Sequence, residues 1–99
     1  MYFTYIIRCK DDSLYTGYTT DINRRIKEHE NGINCRYSKV KGFKNLEIYF
    51  ILDSKSSAMK LEYYIKKLSR NKKLWIIENP KEFLYTLQNN KLNILSYNK

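Results

Sequence analysis

Residues 2–19, YFTYIIRCKDDSLYTGYT, decide the fold. Tyr2 to Arg8 is β-branched and aromatic, Lys10-Asp-Asp-Ser13 is turn chemistry, and Leu14 to Thr19 is β-prone again, which predicts a β-hairpin. Side chains alternate across a strand, so Tyr5 and Ile7 share a face of the first strand, as do Tyr15 and Gly17 on the second. A loop of three or five residues points Tyr5 and Tyr15 to the same face, and an even loop separates them. Glycine inside a strand weakens it and marks a bulge, a bend or a close approach to the backbone. Gly17 therefore asks what lies against it.

Downstream, Thr20 or Asp21 can cap a helix running to about Asn31, with Gly32 as its left-handed terminator. The inward stripe counted from Ile22 is Ile22, Arg25, Ile26 and His29, which carries an arginine and a histidine. Arg24, Lys27 and Glu28 fall outside that stripe and read as solvated. Residues 33–45 form a basic loop or short helix with Tyr37 and Phe43 interleaved, and Leu46 to Leu52 reads as a third strand. Ser54 or Ser56 can cap a second long helix to about Arg70. Its stripe, Ala58, Leu61, Glu62, Ile65 and Leu68, puts a carboxylate where a core side chain is expected. Lys72 to Ile77 suits a short helix or turn that adds Trp75 to the core, and Asn79-Pro80 starts a last helix to about Asn89. The Asn- and Lys-rich tail carries no clear pattern.

Ninety-nine residues make one compact domain, expected here over 1–99 with a core over about 2–77 and a C-terminal helix and tail over 78–99. Nineteen Lys and Arg against ten Asp and Glu leave +9, which favours a polyanionic partner. The charge is clustered: Arg36 to Lys44 holds four basic residues and no acid, and Lys55 to Lys73 holds seven opposed only by Glu62. Cys9 and Cys35 match no disulfide scaffold or zinc spacing and read as free thiols. No stretch approaches the ~20 apolar residues of a membrane span, and the N-terminus has no basic region before its short apolar run, so a cytoplasmic protein without a membrane partner is expected.

Arg25, His29 and Glu62, polar groups on inward stripes, accompany Tyr5, Tyr15 and Gly17 on the hairpin. In the order Thr4-Tyr5, Leu14-Tyr-Thr-Gly17, Arg25, His29 and Glu62, the chain resembles the GIY-YIG nuclease superfamily, and among it the small single-domain proteins of this length. The likeness runs through Tyr5-Ile-Ile-Arg-Cys9, Ser13 to Thr19, Arg24-Arg25, Glu28-His29, Gly32, Ser54 to Ala58, Leu61-Glu62 and Ile65 to Arg70, about residues 2–77. The resemblance implies an α+β fold, a three-stranded antiparallel sheet flanked by helices, and Tyr5 and Tyr15 on one face. It places the family tyrosines at Tyr5 and Tyr15, its arginine at Arg25, its His or Tyr position at His29 and its metal-binding glutamate at Glu62. Many members continue into a Pro-x-Tyr-Asn segment where this chain has Arg70-Asn-Lys-Lys-Leu-Trp75, so their late asparagine has no counterpart.

The resemblance implies phosphodiester hydrolysis with one Mg²⁺ or Mn²⁺ on Glu62, bound mainly when substrate is present because Mg²⁺ keeps waters and takes substrate oxygens. Arg25 is then the clamp on phosphate oxygens. Tyr15 is the favoured base with Tyr5 and His29 positioning and shuttling protons, and His29 is the competing base. The expected nucleic-acid contacts are Gly17, Arg24, Arg36, Lys39, Lys41, Lys66, Lys67 and Arg70, with Tyr37 or Phe43 available to stack on bases; the alternative is a solvated loop with one or two of these rings in the core. DNA is favoured over RNA, in repair or recombination, and strong sequence selectivity would need a dimer or a protein partner. The competing readings are a DNA- or RNA-binding module that does not cut and a protein-interaction domain.

Overall fold

The computed structural model describes residues 1–87, 92 and 94–99. Its elements are β1 (Tyr2–Cys9), β2 (Leu14–Thr19), α1 (Ile22–Glu30), α2 (Arg36–Lys41), β3 (Phe43–Leu52), α3 (Lys55–Lys66), α4 (Arg70–Glu78), α5 (Pro80–Thr86) and β4 (Ile94–Asn98). The strands form one antiparallel sheet in the order β2-β1-β3-β4. The α+β class stands, with four strands in place of the expected three. The extra strand comes from the tail, where Ile94-Leu-Ser-Tyr-Asn98 pairs with Tyr49–Leu52 at the sheet edge.

The hairpin takes the odd loop. Cys9 N–H donates to Ser13 O at 2.8 Å and Asp12 N–H to Cys9 O at 2.9 Å, closing a loop of Lys10, Asp11 and Asp12. Asp12 occupies the left-handed position at φ 68° that such loops require, which a short polar side chain tolerates. The resulting register pairs Tyr5 with Gly17 and Ile7 with Tyr15, so Tyr5, Ile7, Tyr15 and Gly17 share one face.

That face is covered by α1 and α2. Tyr5, Ile7 and Cys9 are buried there against Tyr15, Ile22, Ile26, Tyr37, Phe43, Leu46 and Tyr49. Two register shifts in the β1–β3 ladder leave Glu47 and Lys44 unpaired with β1 and keep Leu46 and Phe43 on the face of Tyr49. The first shift also lets Glu47 accept from Arg8 Nε. Ile6, Ile48, Phe50 and Leu52 line the opposite face and form the main core with Ala58, Leu61 and Ile65 of α3, Ile76 and Ile77 of α4, and Phe83 and Leu87.

Caps explain where the helices start. Asp21 accepts from Arg24 N–H, Ser54 from Ser57 N–H and Ser69 from Lys72 N–H, bonds worth about 1 kcal/mol each. Ser69 also corrects the expected single helix to Arg70: α3 stops at Lys66 and Ser69 caps a new helix, α4. α5 begins at Pro80 as expected, and the expected end of that helix at Gln88 and Asn89 lies outside the described residues. Thr4 Oγ1 donates to Ala58 O at 2.8 Å and pins α3 to the central strand.

Gly17 is answered by its neighbour. A Cβ added there would lie 2.6 Å from Tyr5 Oη, 2.8 Å from Tyr5 Cζ and 3.2 Å from Tyr15 Cε2. The fully buried Tyr5 phenol rests on the bare Cα. Gly17→Ala is expected to lower stability by about 1–3 kcal/mol, as overpacking does, in urea unfolding; a change under about 0.5 kcal/mol, the scale of a neutral surface substitution, would contradict the packing.

Candidate active site

Tyr5 Oη is the hub of the site. Arg25 Nε donates to it at 3.1 Å, and it lies 2.7 Å from His29 Nε2. His29 Nδ1 lies 2.9 Å from Ser38 Oγ, whose hydroxyl donates to Cys35 O at 3.3 Å. One assignment of protons satisfies every group: Ser38 gives its hydrogen to the carbonyl, so it must accept from His29 Nδ1–H, and His29 Nε2 then accepts from Tyr5. The result is a relay polarised in one direction, Arg25 to Tyr5 to His29 to Ser38 to the Cys35 carbonyl.

That relay needs a neutral imidazole. His29 is 1% exposed, and burial, reinforced by the Arg25 charge, lowers its pKa to about 4. Both ring nitrogens are engaged, so His29 has no lone pair free for a water molecule. Its ring packs edge-on to Tyr5 and Tyr15 and stacks on Phe43. The competing assignment of His29 as the water-activating base does not fit this geometry.

The tyrosines divide the work. Tyr5 is wholly buried, and burial raises its pKa despite the Arg25 hydrogen bond. Tyr15 is half-buried beside it, ring centroids 6.5 Å apart, and burial together with the Cys35 thiol raises its pKa strongly. Tyr5 is therefore a positioning group. Tyr15 is the phenol nearer solvent, and its deprotonation needs added positive charge.

Arg25 is held from three sides. Nε binds Tyr5, while Nη1 donates to Glu28 Oε1 at 2.9 Å and to Asn34 O at 3.1 Å. Burial disfavours its charge, but Glu28 and Tyr5 outweigh that and raise its pKa. Arg25 in turn holds the Glu28 carboxyl below its usual range. Among the described residues no hydrogen bond engages Nη2, and Arg25 lines an open cleft of about 340 Å³ with Arg24, Tyr18, Thr19, Thr20 and Glu28. Glu28 corrects the reading of it as a solvated residue. The i,i+3 spacing from Arg25 is the signal that could have found it.

Glu62 stands at the margin of this cluster. It is half-buried on α3, Lys66 Nζ lies 3.3 Å from its Oε2, and the same ammonium sits 5.7 Å from the centre of the Tyr15 ring. Its charge is felt at Tyr5, whose pKa it helps to raise. Lys66 thus joins Glu62 to the tyrosines.

The other expected residues fall elsewhere. Gly17 is buried beneath Tyr5 and makes room for that ring, so it is not a surface contact. Tyr37 packs on Tyr15 with centroids 5.2 Å apart, which turns an expected base-stacking ring into a wall of the site. Arg36 and Lys39 are exposed on α2, Lys41 pairs with Asp11 at 3.3 Å, Lys67 lies over Tyr63, and Arg70 Nη1 donates to Asp12 O at 2.7 Å. Sequence reasoning missed Ser38 and Cys35. Burial pushes the Cys35 thiol pKa up, but hydrogen bonding from the backbone N–H of Ser38, with Tyr15 and the Tyr37 N–H, outweighs it and lowers it.

A small antiparallel sheet bearing paired tyrosines on one face, with an arginine and a histidine of the next helix closing over them, defines a class of nuclease-type domain. The GIY-YIG catalytic domain family matches residues 1–74, and the chain belongs to that family. It is similar to the UPF0213 protein YazA of Bacillus subtilis, 42% identical over 96 residues, which span 92% of this chain and 95% of that protein. The UPF0213 protein CPE1444 of Clostridium perfringens is 44% identical over 79 residues, 80% of this chain and 85% of that protein. The solution NMR structure of the UPF0213 protein BH0048 from Bacillus halodurans shares 41% identity, with 92% of this chain and 89% of that chain covered and a TM-score of 0.47.

The relay sets a pH dependence. Folding lowers the His29 pKa from 6.5 to about 4, so the unfolded chain binds the extra proton first and stability falls as pH drops between these values. The loss is on the order of 3 kcal/mol. His29→Gln is expected to flatten urea stability between pH 6.5 and 4; an unchanged slope would show that His29 is not the group responsible.

Proposed function

We propose that the protein is a metal-dependent endonuclease that hydrolyses phosphodiester bonds in DNA and acts in the cytoplasm in repair or recombination. The observation that carries this reading is the single hydrogen-bonded cluster of Tyr5, Arg25 and His29 against Tyr15, with the Lys66–Glu62 pair at its edge. No described helix is long and apolar enough to cross a membrane, and +9 of net charge suits a phosphate backbone.

The donor set decides what kind of cation fits. Among the described residues no group of three or more His, Cys, Asp or Glu side chains could cage a metal. A single half-buried carboxylate at Glu62 does fit a hydrated Mg²⁺ or Mn²⁺ that completes its shell with water and phosphate oxygens. Bound there, such an ion would supply charge neutralisation at the phosphoryl oxygens. Lys66 now balances Glu62, so its ammonium is the group that must shift toward phosphate when a cation takes its place.

The protein's own groups do the rest. Arg25, fixed through Nε and Nη1, offers Nη2 to a phosphate oxygen in the cleft beside Tyr18 and Thr19. Tyr15, after its own phenolic proton has passed to solvent with Arg25 and Lys66 favouring the phenolate, takes the proton of the attacking water. Tyr5 and His29 hold Arg25 and the Tyr15 ring in place.

A second reading is a nucleic-acid-binding module of the same fold that does not cut. It is favoured by the Lys66 ammonium already neutralising Glu62 and by the late asparagine that the chain lacks. A panel of single-stranded, duplex and branched DNA and of RNA, incubated with Mg²⁺ or Mn²⁺, separates the two. Cleavage of at least one DNA form is expected, rising with pH from about 7 to 9 and falling at least about 100-fold in Glu62→Ala and Tyr15→Phe. Binding without cleavage, or wild-type activity in Glu62→Ala, would overturn the nuclease assignment.

A further inference from the structure

The outer face of α3 carries a feature that the candidate site does not use. Lys60, Tyr63, Tyr64 and Lys67 follow i, i+3, i+4, i+7 spacing and so form one stripe. With Leu92 they line a pocket of about 310 Å³. Tyr63 is 63% exposed and Tyr64 39%, an unusual outlay of aromatic surface on a helix whose opposite face supplies the main core. Both rings are held. Lys67 Nζ lies 4.1 Å from the Tyr63 ring centre, and Tyr64 stacks on Phe83 with centroids 6.2 Å apart.

We propose that this stripe is a stacking platform for an unpaired DNA strand running to or from Tyr15. Three observations select that occupant. Among the described residues the pocket lining has two lysines and no carboxylate, which suits a polyanion. The platform neighbours the candidate site: Lys66, the last residue of α3, lies over the Tyr15 ring, and the next residue, Lys67, lies over the Tyr63 ring. Its aromatic faces are flat and flanked by cations, the arrangement that holds successive bases without reading their sequence.

An exchange of partners makes the binding favourable. The ammonium over Tyr63 is worth roughly a 2- to 5-fold preference at an exposed site. A base stacked on the same ring is worth roughly 5- to 150-fold in affinity. A base that takes the ring face releases Lys67 to the adjoining phosphate, so both groups gain a stronger partner.

The platform takes from the nuclease reading only that DNA passes Tyr15 and Glu62. The test is fluorescence anisotropy without divalent metal, using oligothymidylate of about 15 nucleotides and an abasic deoxyribose-phosphate oligomer of equal length. Tyr63→Ala is expected to weaken oligothymidylate binding about 10-fold and abasic binding less than about 2-fold, while Tyr63→Phe restores wild-type affinity. Lys67→Ala is expected to weaken both ligands and to reduce the salt slope by about 0.7. The proposal is overturned if wild type does not bind oligothymidylate, if Tyr63→Ala leaves that binding unchanged, or if it weakens both ligands equally. Sedimentation showing a dimer that Tyr63→Ala dissociates would also overturn it, by assigning the face to a second copy. Wild-type cleavage with Mg²⁺ is scored separately: binding as expected with no cleavage sinks the nuclease reading and leaves the platform standing.

Discussion

A single buried hydroxyl, that of Tyr5, ties the two halves of the site together. It accepts from Arg25 and donates to His29, so the helix that caps the sheet is joined to the central strand by a polar contact inside an apolar layer. Such a contact is costly unless every member is satisfied, since an unpaired buried group loses about 1–3 kcal/mol. Here each is: His29 passes the polarity to Ser38, and Ser38 to the Cys35 carbonyl. The network thereby fixes one packing of α1 and α2 against the sheet.

The constraint reaches outward in both directions. Tyr5 can lie flat across β2 only because residue 17 has no Cβ, and it faces Tyr15 only because the loop at Lys10–Asp12 is odd. On the far side, Arg25 is pulled from the solvent by Glu28 and Asn34, and among the described residues its Nη2 is left without a hydrogen bond beside the cleft. Tyr15, Lys66 and Glu62 then form the outward edge of the cluster, the edge that the proposed nuclease function assigns to phosphate.

Much of this was legible in the chain. Alternation gave the face shared by Tyr5 and Tyr15 once the loop parity was known, and the 3.6-residue stripe from Ile22 named Arg25 and His29 as the inward polar groups. What escaped lies where pattern carries no signal. The fourth strand comes from a tail whose Asn and Lys content hides Ile94–Asn98, and it forms only because β3 offers an open edge. The break between α3 and α4 is a capping event at Ser69 inside an otherwise continuous helical pattern. Glu28, Ser38 and Cys35 belong to the site through tertiary contacts, and Tyr37, a tyrosine in a basic loop that the pattern left open between base stacking and the core, packs on Tyr15.

The most direct test removes one atom. Tyr5→Phe keeps the ring over Gly17 and deletes the hydroxyl between Arg25 and His29. DNA cleavage by this variant with Mg²⁺, measured beside wild type at a temperature where circular dichroism shows both folded, is predicted to fall by at least about 10-fold, the lower range for misplaced catalytic groups. Cleavage at the wild-type rate would contradict the claim that the Tyr5 hydroxyl organises the site.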